Sequence, residues 1–358
     1  MLEQENSPIK FTRIIVPLLV WLCAMVNLAC AEGEGALSRI AFGSCAHQDN
    51  PQPIWDAVVA SKPDTFLFIG DNIYGDSEDM AVLKKKWDLL GAQPGYQKLL
   101  ATCPVLATWD DHDYGANDSG EEYPMKRESQ QLFLDFFNEP ADSPRRSREG
   151  VYDAKVFGPE GQRVQIILLD TRYFRSPLVK RSYRPEAGEG DNGPFGRDSN
   201  PAVTMLGAAQ WKWLEEQLLV PAEVRIVASS IQVVPDDHHW EKWGTMPLER
   251  QRLFEVIRKS GAGGIIFISG DRHSAEISAV DPGVGYPLID VTSSSLNRPS
   301  SWHTEPNEHR IGTKYVAENF GAILIDWTAS DPVIRCQVCD ITGKVVLQHR
   351  VRLSKLQP

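Results

Sequence analysis

The feature that most constrains the fold is a series of short apolar runs, each of which ends on polar residues capable of chemistry. The runs are RIAFGSC, TFLFIGDNIY, PVLATWDDHD, VQIILLDTR, VRIVASSIQ and GIIFISGDRH. In that order, they end on Cys45, on Asp71 and Tyr74, on Asp110 to Asp113, on Asp170 and Arg172, on Gln232, and on Asp271 and His273. Such β-rich runs predict strands, and ligands of layered α/β folds bind beyond the carboxyl ends of the strands.

Amphipathic segments alternate with these runs and predict helices. They read PIWDAVVASK, MKRESQQLFLDFFN, AAQWKWLEEQLL and PLERQRLFEVIRKS. The alternation favours an α/β fold built from layers. The last segments, YPLIDVTSSSL, GAILIDWT, PVIRCQVCDI and KVVLQHRVRL, predict an antiparallel edge. Residues 176–204 are rich in Gly, Pro, Arg and Asp and predict a long surface loop over the site.

The N-terminus predicts a signal peptide over residues 1–31. An apolar run follows Lys10 and Arg13, ends in Ala-Cys-Ala and precedes the polar EGEG. We therefore expect cleavage after Ala31 and a secreted or periplasmic protein. An uncleaved membrane anchor and a lipid on Cys30 are the lower-ranked alternatives. Residues 32–358 show no repeats or long linkers, and we expect them to form a single domain.

The charge argues against one class of partner. The chain carries a net charge of −11, and the predicted leader removes equal numbers of acids and bases. This balance disfavours nucleic-acid binding, which selects basic surfaces, and suits a protein that handles an acidic substrate through bound cations. We expect no transmembrane segment in the mature chain and a monomeric protein. Cys336 and Cys339 lie three apart on a predicted strand, so they point to opposite faces and predict packing.

The segment WDDHDYG places three carboxylates around one imidazole, with no basic residue beside them. Because such carboxylates repel one another, the segment indicates a bound cation. We expect Asp111 to bind a metal, His112 to protonate a leaving oxygen and Asp113 to hold the imidazole. Asp110 is expected to be a supporting or capping group. The alternative is an acidic turn with an exposed histidine.

Two further strand ends predict metal ligands. Asp71 follows a glycine that permits a sharp exit, and it can bridge two cations through its two oxygens. The phenol of Tyr74 and the thiol of Cys45 favour an iron-like ion. The alternatives are a packed aromatic ring and a buried thiol. Asp271 and His273 are expected to contact neighbouring cations, against the alternative of a capped helix start.

These residues resemble the PhoD-like (alkaline phosphatase D) family of the calcineurin-like metallophosphoesterases. The blocks that carry the resemblance are GSC at 43–45, GDNIY at 70–74, DDHD at 110–113 and GDRH at 270–273. Segments LDTRYFR, AAQWKWLEEQL and WEKWGTMPLERQRL are also similar to that family. The resemblance spans roughly residues 38–300. It implies a four-layer αββα sandwich with mixed sheets and an antiparallel C-terminal edge.

The resemblance also implies the ligand sets of two metal ions. The residues implied for the first are Cys45, Asp71, Tyr74 and His273. Those implied for the second are Asp71, Asp111 and Asp271. We expect Fe³⁺ and Ca²⁺, with Zn²⁺ or Mn²⁺ as alternatives. The family's later histidine is replaced near Ser230 to Gln232, and His238 and His239 are its candidate substitutes or exposed loop residues.

The implied activity is hydrolysis of phosphate esters, by a phosphatase or a phosphodiesterase. The expected mechanism uses two metal ions, a metal-bound water as nucleophile and His112 as general acid. Arg172 and Asn72 are the candidates for contact with the substrate, and a structural salt bridge is the alternative for Arg172. Two other functions stay open. One is a serine esterase centred on Ser44, and the other is a secreted metal-binding domain without turnover.

Overall fold

The computed structural model describes Met1 and residues 35–182, 193–300 and 305–358. The described residues from 35 onward group into one unit by their contacts. Apart from Met1, the predicted signal peptide lies outside the described residues, as does Cys30. The leader, the lipid site and the single mature domain stay predictions. Among the described residues, no helix has the length and apolar character needed to cross a bilayer.

The described residues form twelve strands and seven α-helices. The strands are β1 Arg39–Gly43, β2 Thr65–Ile69, β3 Val105–Thr108, β4 Asp153–Phe157, β5 Val164–Leu168, β6 Val224–Ser229, β7 Ile265–Ser269, β8 Ala275–Val280, β9 Leu288–Ser293, β10 Asn319–Asp326, β11 Val333–Asp340 and β12 Val345–Arg352. The helices are α1 Ile54–Ala60, α2 Met80–Gly91, α3 Pro94–Leu100, α4 Asp111–Tyr114, α5 Lys126–Phe136, α6 Gly207–Gln217 and α7 Pro247–Ser260. Each of the four amphipathic segments predicted from the sequence is a helix.

Two mixed sheets of six strands each organise the fold. The first has the order β12-β11-β10-β1-β2-β3, and the second has the order β4-β5-β6-β7-β9-β8. Strands β1, β2 and β3 are parallel, and β10, β11 and β12 form the expected antiparallel edge. The prediction is wrong for β9, which lies inside the second sheet, parallel to β7 and antiparallel to β8.

Strand side chains alternate between two hydrophobic cores. On β1, Ile40 and Phe42 join the core between the two sheets, whereas Ala41 faces the core formed with α1, α2, α3 and α5. The first core also contains residues of α6 and α7, so the order of layers is helices, sheet, sheet, helices. Cys336 belongs to the first core and Cys339 to the second, which confirms that both pack as buried strand residues on opposite faces.

The parallel strands of both sheets bring their carboxyl ends to the site. The segments that follow β1, β2 and β3 approach those that follow β6, β7 and β9, as the bond from Ser230 Oγ to Asp110 Oδ1 (2.6 Å) and the bond from Leu296 N to Ser44 O (3.0 Å) show. In the predicted surface loop, residues 176–182 and 193–204 contain no helix or extended strand. Its position over the site stays a prediction.

Candidate metal centre

Six side chains from four strand ends come together, and we call them the ligand cluster. They are Cys45, Asp71, Tyr74, Asp111, Asp271 and His273. Ligand atoms of Cys45, Asp71 and His273 all lie within 4.8 Å of one another. The hydroxyl of Tyr74 joins them, since it lies 3.0 Å from Asp71 Oδ2 and 3.3 Å from His273 Nε2. The structure therefore brings together the four residues expected around the first metal.

A second group of ligand atoms consists mainly of carboxylates. Asp71, Asp111 and His112 have ligand atoms within 4.8 Å of one another, and so do Asp110, Asp111 and Asp271. Asp71 belongs to both the first group and this one, and its expected role as a bridge between two cations stays a prediction. His112 and Asp110 are additional candidate ligands.

Unusual backbone conformations aim several of these side chains. Cys45, Asp71, Asp271 and His273 all have positive φ, between 49° and 66°. Such values are uncommon for residues other than glycine and recur at functional sites. Gly70 provides the predicted sharp exit from β2: its φ is 109°, and a Cβ there would lie 2.5 Å from the Cβ of Asp110. The tight turn lets the ends of β2 and β3 approach each other.

The charges of the cluster fit bound cations. Asp71 Oδ1 and Asp111 Oδ1 are buried and have no hydrogen-bond partner among the described residues. Burial, followed by repulsion from Cys45, raises the pKa of Asp71 well above its ordinary value. Burial also raises the pKa of Cys45 and, with Asp71, that of Tyr74. A cation would stabilise the ionised form of each group, and buried carboxylates without partners are costly in its absence.

His273 is already in the form that binds a metal. Burial, and then the positive charges of Arg298 and Arg272, lower the pKa of His273 to about 3. The neutral imidazole is the ligand form of histidine. Its backbone N–H donates to Ser294 Oγ (2.9 Å), and the same hydroxyl lies 3.2 Å from Cys45 Sγ. Ser294, which the sequence analysis missed, thus connects the two ends of the first ligand set.

The prediction that Asp113 holds the imidazole of His112 is wrong. Asp113 Oδ1 accepts a hydrogen bond from Asp110 N (2.6 Å), and Asp113 Oδ2 accepts one from the Asn72 side chain (2.6 Å). Asp113 occupies the third position of the short helix α4, so its carboxylate caps the helix start. Neighbouring residues on a helix do not face each other, and this is why Asp113 does not orient the imidazole.

Asp76, instead of Asp113, contacts the imidazole of His112. Its two carboxylate oxygens lie 2.7 and 2.9 Å from Nδ1 of His112, whose side chain is 12% exposed. Because a carboxylate only accepts, Nδ1 carries the proton and Nε2 is left for other partners. Burial alone would lower the pKa of His112, but Asp111, Asp71 and Asp76 raise it to about 10. The sequence feature that could have indicated this role is the second acid of GDNIYGD, which is Asp76, five residues after Asp71.

Neither residue predicted to bind substrate is free to do so. Arg172 is fully buried; its Nε donates to Asp110 Oδ1 (2.5 Å) and its Nη1 to Glu241 Oε2 (2.6 Å). Of the two alternatives for Arg172, the structure supports the salt bridge. Asn72 is also fully buried, and its amide nitrogen donates to Thr108 O (2.9 Å) and to Asp113. Asn72 therefore holds the exits of β2 and β3 together.

The histidines proposed as substitutes for the missing ligand lie elsewhere. His238 is buried, with Nε2 2.8 Å from Gln232 Oε1, and His239 Nδ1 lies 3.1 Å from Phe195 O. Neither belongs to a group of possible metal ligands in the described part of the chain. At the position of the missing histidine, Ser230 Oγ donates to Asp110 Oδ1 (2.6 Å). This contact supports Asp110 and adds no strong ligand.

Two facing mixed sheets with clustered candidate metal ligands at their strand ends define a metallophosphoesterase fold. A sequence model described as PhoD-like phosphatase matches residues 83–322, and the chain belongs to that family. The matched range begins after Cys45, Asp71 and Tyr74.

The chain is 22% identical over 193 residues to alkaline phosphatase D of Bacillus subtilis (strain 168). This alignment covers 49% of the chain and only 32% of that relative.

Solved structures show the same fold at low identity. A structure of PhoD superposes with a TM-score of 0.70 at 15% identity, covering 89% of this chain and 69% of that one. Purple acid phosphatase PPD1 from yellow lupin (Lupinus luteus) seeds gives 0.59 at 13% identity, covering 90% and 55%. GAP50, the anchor in the inner membrane complex of Plasmodium, gives 0.54 at 12% identity, covering 88% and 89%. These likenesses show the fold, whereas an activity depends on the site.

Proposed function

We propose that this protein hydrolyses phosphate esters with two metal ions held by the ligand cluster. The observation that carries the proposal is that Asp71 belongs to two groups of ligand atoms, one with Cys45 and His273 and one with Asp111 and His112. When bound, the cations would polarise the phosphoryl oxygens and supply a nucleophile from water at neutral pH. Family membership and the shared fold support this activity.

The two ligand groups favour different ions. The thiol, phenol and imidazole of Cys45, Tyr74 and His273 suit Fe³⁺ or Zn²⁺. The carboxylates of Asp71, Asp111 and Asp271 suit a hard ion such as Ca²⁺ or Mn²⁺. We propose iron on the side of Cys45 and calcium on the carboxylate side. Elemental analysis of the protein purified from its natural compartment identifies the ions.

The chain supplies the proton for the leaving group. His112 borders the cluster, with its Nδ1 held by Asp76 and its Nε2 left for the substrate. Its raised pKa keeps the imidazole protonated in the absence of cations, and bound cations would bring that pKa down. In this proposal, His112 donates the Nε2 proton to the leaving oxygen and Asp76 keeps the ring in position.

The direct test is Asp71→Asn, with hydrolysis of an aryl phosphate and bound metal measured on the same preparation. We expect at least a thousandfold loss of activity and reduced metal content, because one ligand of both ions is replaced. The matched control is Asp281→Asn, in the exposed turn after β8. Full activity with unchanged metal in Asp71→Asn would reject the proposal.

A chelator separates this function from the serine esterase alternative. Ser44 is fully buried, and its hydroxyl lies 3.5 Å from both Cys45 Sγ and Ser293 O. That environment favours a supporting role beside the ligand Cys45. Hydrolysis should therefore stop when the metals are removed and return when iron and calcium are added back. Activity that survives complete metal removal would favour the esterase, and full metal binding without hydrolysis of any phosphate ester would favour a binding domain.

A further inference from the structure

Arg298 is a positive charge beside the ligand cluster, and it has no acidic partner in the part of the chain that the structure describes. Two other arginines near the cluster are neutralised: Arg172 by Asp110 and Glu241, and Arg272 by Glu305 and Asp271. The guanidinium of Arg298 instead lies over the ring of Tyr74, 4.0 Å from its centroid. No hydrogen bond or ion pair of its side chain occurs within the described ranges.

The segment that carries Arg298 is fixed to the end of β1. The side chain of Asn297 accepts a hydrogen bond from His47 N (2.6 Å) and donates one to His47 O (2.9 Å). The backbone N–H of Asn297 donates to Cys45 O (3.3 Å). The residue just before Arg298 is thus connected to the strand end that supplies Cys45. Arg298 itself is partly exposed, so its charge faces both the cluster and the solvent.

The charge of Arg298 reaches the cluster. It is the second cause, after burial, of the lowered pKa values of His47 and His273, and it opposes the raised pKa of Tyr74. The carboxylates of the cluster would hold the cations, and they would repel an incoming phosphate. An anionic substrate therefore gains most from a cation that is not already neutralised. Guanidinium also matches the geometry of phosphate oxygens, to which it donates two hydrogen bonds at once.

We propose that Arg298 binds a non-bridging oxygen of the substrate phosphate at the mouth of the metal centre. The contact with the Tyr74 ring holds the guanidinium in place before the substrate arrives, which reduces the entropy lost on binding. This inference rests on the proposed function, and it gives Arg298 the substrate contact that the sequence predicted for Arg172.

The test compares Arg298→Met and Arg298→Lys with wild type, using the full chain loaded with iron and calcium. Methionine keeps an unbranched side chain over Tyr74 and removes the charge, whereas lysine keeps the charge and removes the planar donor group. The matched control is Arg258→Met, an exposed position on α7. Calorimetry measures the binding of inorganic phosphate, elemental analysis measures metal content, and steady-state kinetics with an aryl phosphate give KM and kcat.

For Arg298→Met we expect phosphate binding to weaken by about tenfold or more, the usual worth of a hydrogen bond to a charged group. KM should rise by a similar factor, kcat should change less, and metal content should equal that of wild type. Arg298→Lys should lie between wild type and Arg298→Met, and Arg258→Met should match wild type.

Three results would overturn the inference. The first is unchanged phosphate affinity in a fully loaded Arg298→Met protein. The second is reduced metal content in that variant, which would mean that Arg298 acts through Tyr74. The third is a loaded wild-type protein that binds no phosphate. Wild type that binds phosphate and hydrolyses no ester would instead reject the proposed function, and calorimetry alone would then decide the role of Arg298.

Discussion

The ligand cluster and the charged residues directly behind it use the same residue types but match their charges differently. Behind the cluster, Arg172 lies between Asp110 and Glu241, and the other oxygen of Glu241 pairs with Arg175 at 2.8 Å. We call these four residues the paired network. Their charges neutralise one another inside the protein. In the ligand cluster, by contrast, no ion pair of Asp71 occurs among the described residues, and the one ion pair of Asp111 there is a long contact with Arg172 Nη2 at 3.9 Å.

This difference predicts that the paired network stabilises the fold, whereas the ligand cluster binds cations. Removing one member of a buried ion pair leaves an unmatched charge and destabilises the protein. Removing a buried carboxylate that has no partner relieves the metal-free protein of that cost. Substitutions in the paired network should therefore lower stability first, whereas those in the ligand cluster should lower metal content and activity first.

The largest expected effect is the loss of activity in Asp271→Asn. Burial, together with repulsion from Asp110 and Asp111, raises the pKa of Asp271 well above its ordinary value despite Arg272. The variant should lose the carboxylate-side cation and more than a thousandfold in kcat/KM, or over about 4 kcal/mol. The unfolding free energy of the metal-free protein should change little, because Arg272 keeps its ion pair with Glu305 when its longer contact with Asp271 is lost. Urea unfolding in chelator, elemental analysis and kinetics check the three statements. A large loss of metal-free stability would place Asp271 with the paired network.

Arg172→Met should show the reverse pattern. The variant leaves Asp110 and Glu241 without their shared partner, and breaking a buried pair costs about 3–5 kcal/mol. We expect a value near the lower end, about 3 kcal/mol, because Asp110 can take up a proton: burial raises its pKa to about 7 even beside Arg172. Urea unfolding of the metal-free protein measures this loss. The control is Arg163→Met, whose partly exposed pair with Glu223 should contribute about 1 kcal/mol or less. Equal losses in the two variants would contradict the comparison.

The sequence predicts the strand ends better than it predicts the partners of individual side chains. Apolar runs that end on Asp71, Asp111 and His273 point to one edge because parallel strands share a direction. The choice between Asp113 and Asp76 as the partner of His112 depends on the rotation of α4, a helix of only four residues. Periodicity cannot set that rotation, and it cannot show that Asp76, 36 residues before His112, reaches the imidazole.

The sequence also did not predict which charged side chains are buried and which residues they pair with. An Asp-Thr-Arg sequence after a strand fits a phosphate contact and a salt bridge equally well. Only the fold shows that Glu241, from a distant loop, reaches Arg172 and occupies its donor group. In the same way, nothing local to RPSS indicates that Arg298 lies over Tyr74. The segment of β9 was correctly predicted as a strand, but its placement in the antiparallel edge was wrong, because an apolar run does not say which sheet it joins.

His112→Asn should have the next largest effect on the reaction. Loss of a general acid costs about a hundredfold or more in rate, and the loss should be larger for an alkyl phosphate than for a nitrophenyl phosphate, whose leaving group needs less protonation. Asp76→Asn should show the same dependence on leaving group with a smaller loss, about tenfold. Metal content decides between the two roles that His112 can play. Normal metal with a loss that depends on the leaving group supports the acid, whereas reduced metal would make His112 a ligand, like Asp111.

The smallest expected effect concerns His238. Like the paired network, this buried residue has its hydrogen-bond partners within the protein, but its imidazole is neutral. Nδ1 of His238 accepts from Trp240 N at 3.2 Å, so the proton lies on Nε2, which donates to Gln232 Oε1 at 2.8 Å. Protonation of Nδ1 would break the first bond, and burial together with Arg272 and Lys242 lowers the pKa of His238 well below its ordinary value.

The unfolded chain therefore binds a proton at His238 that the folded protein does not. The stability from the neutral ring is complete above about pH 6.5 and falls on acidification by up to about 1.4 kcal/mol per pH unit. Urea unfolding between pH 8 and pH 5 should show this slope in wild type and a shallower slope in His238→Gln, and identical slopes would mean that water reaches His238 in solution.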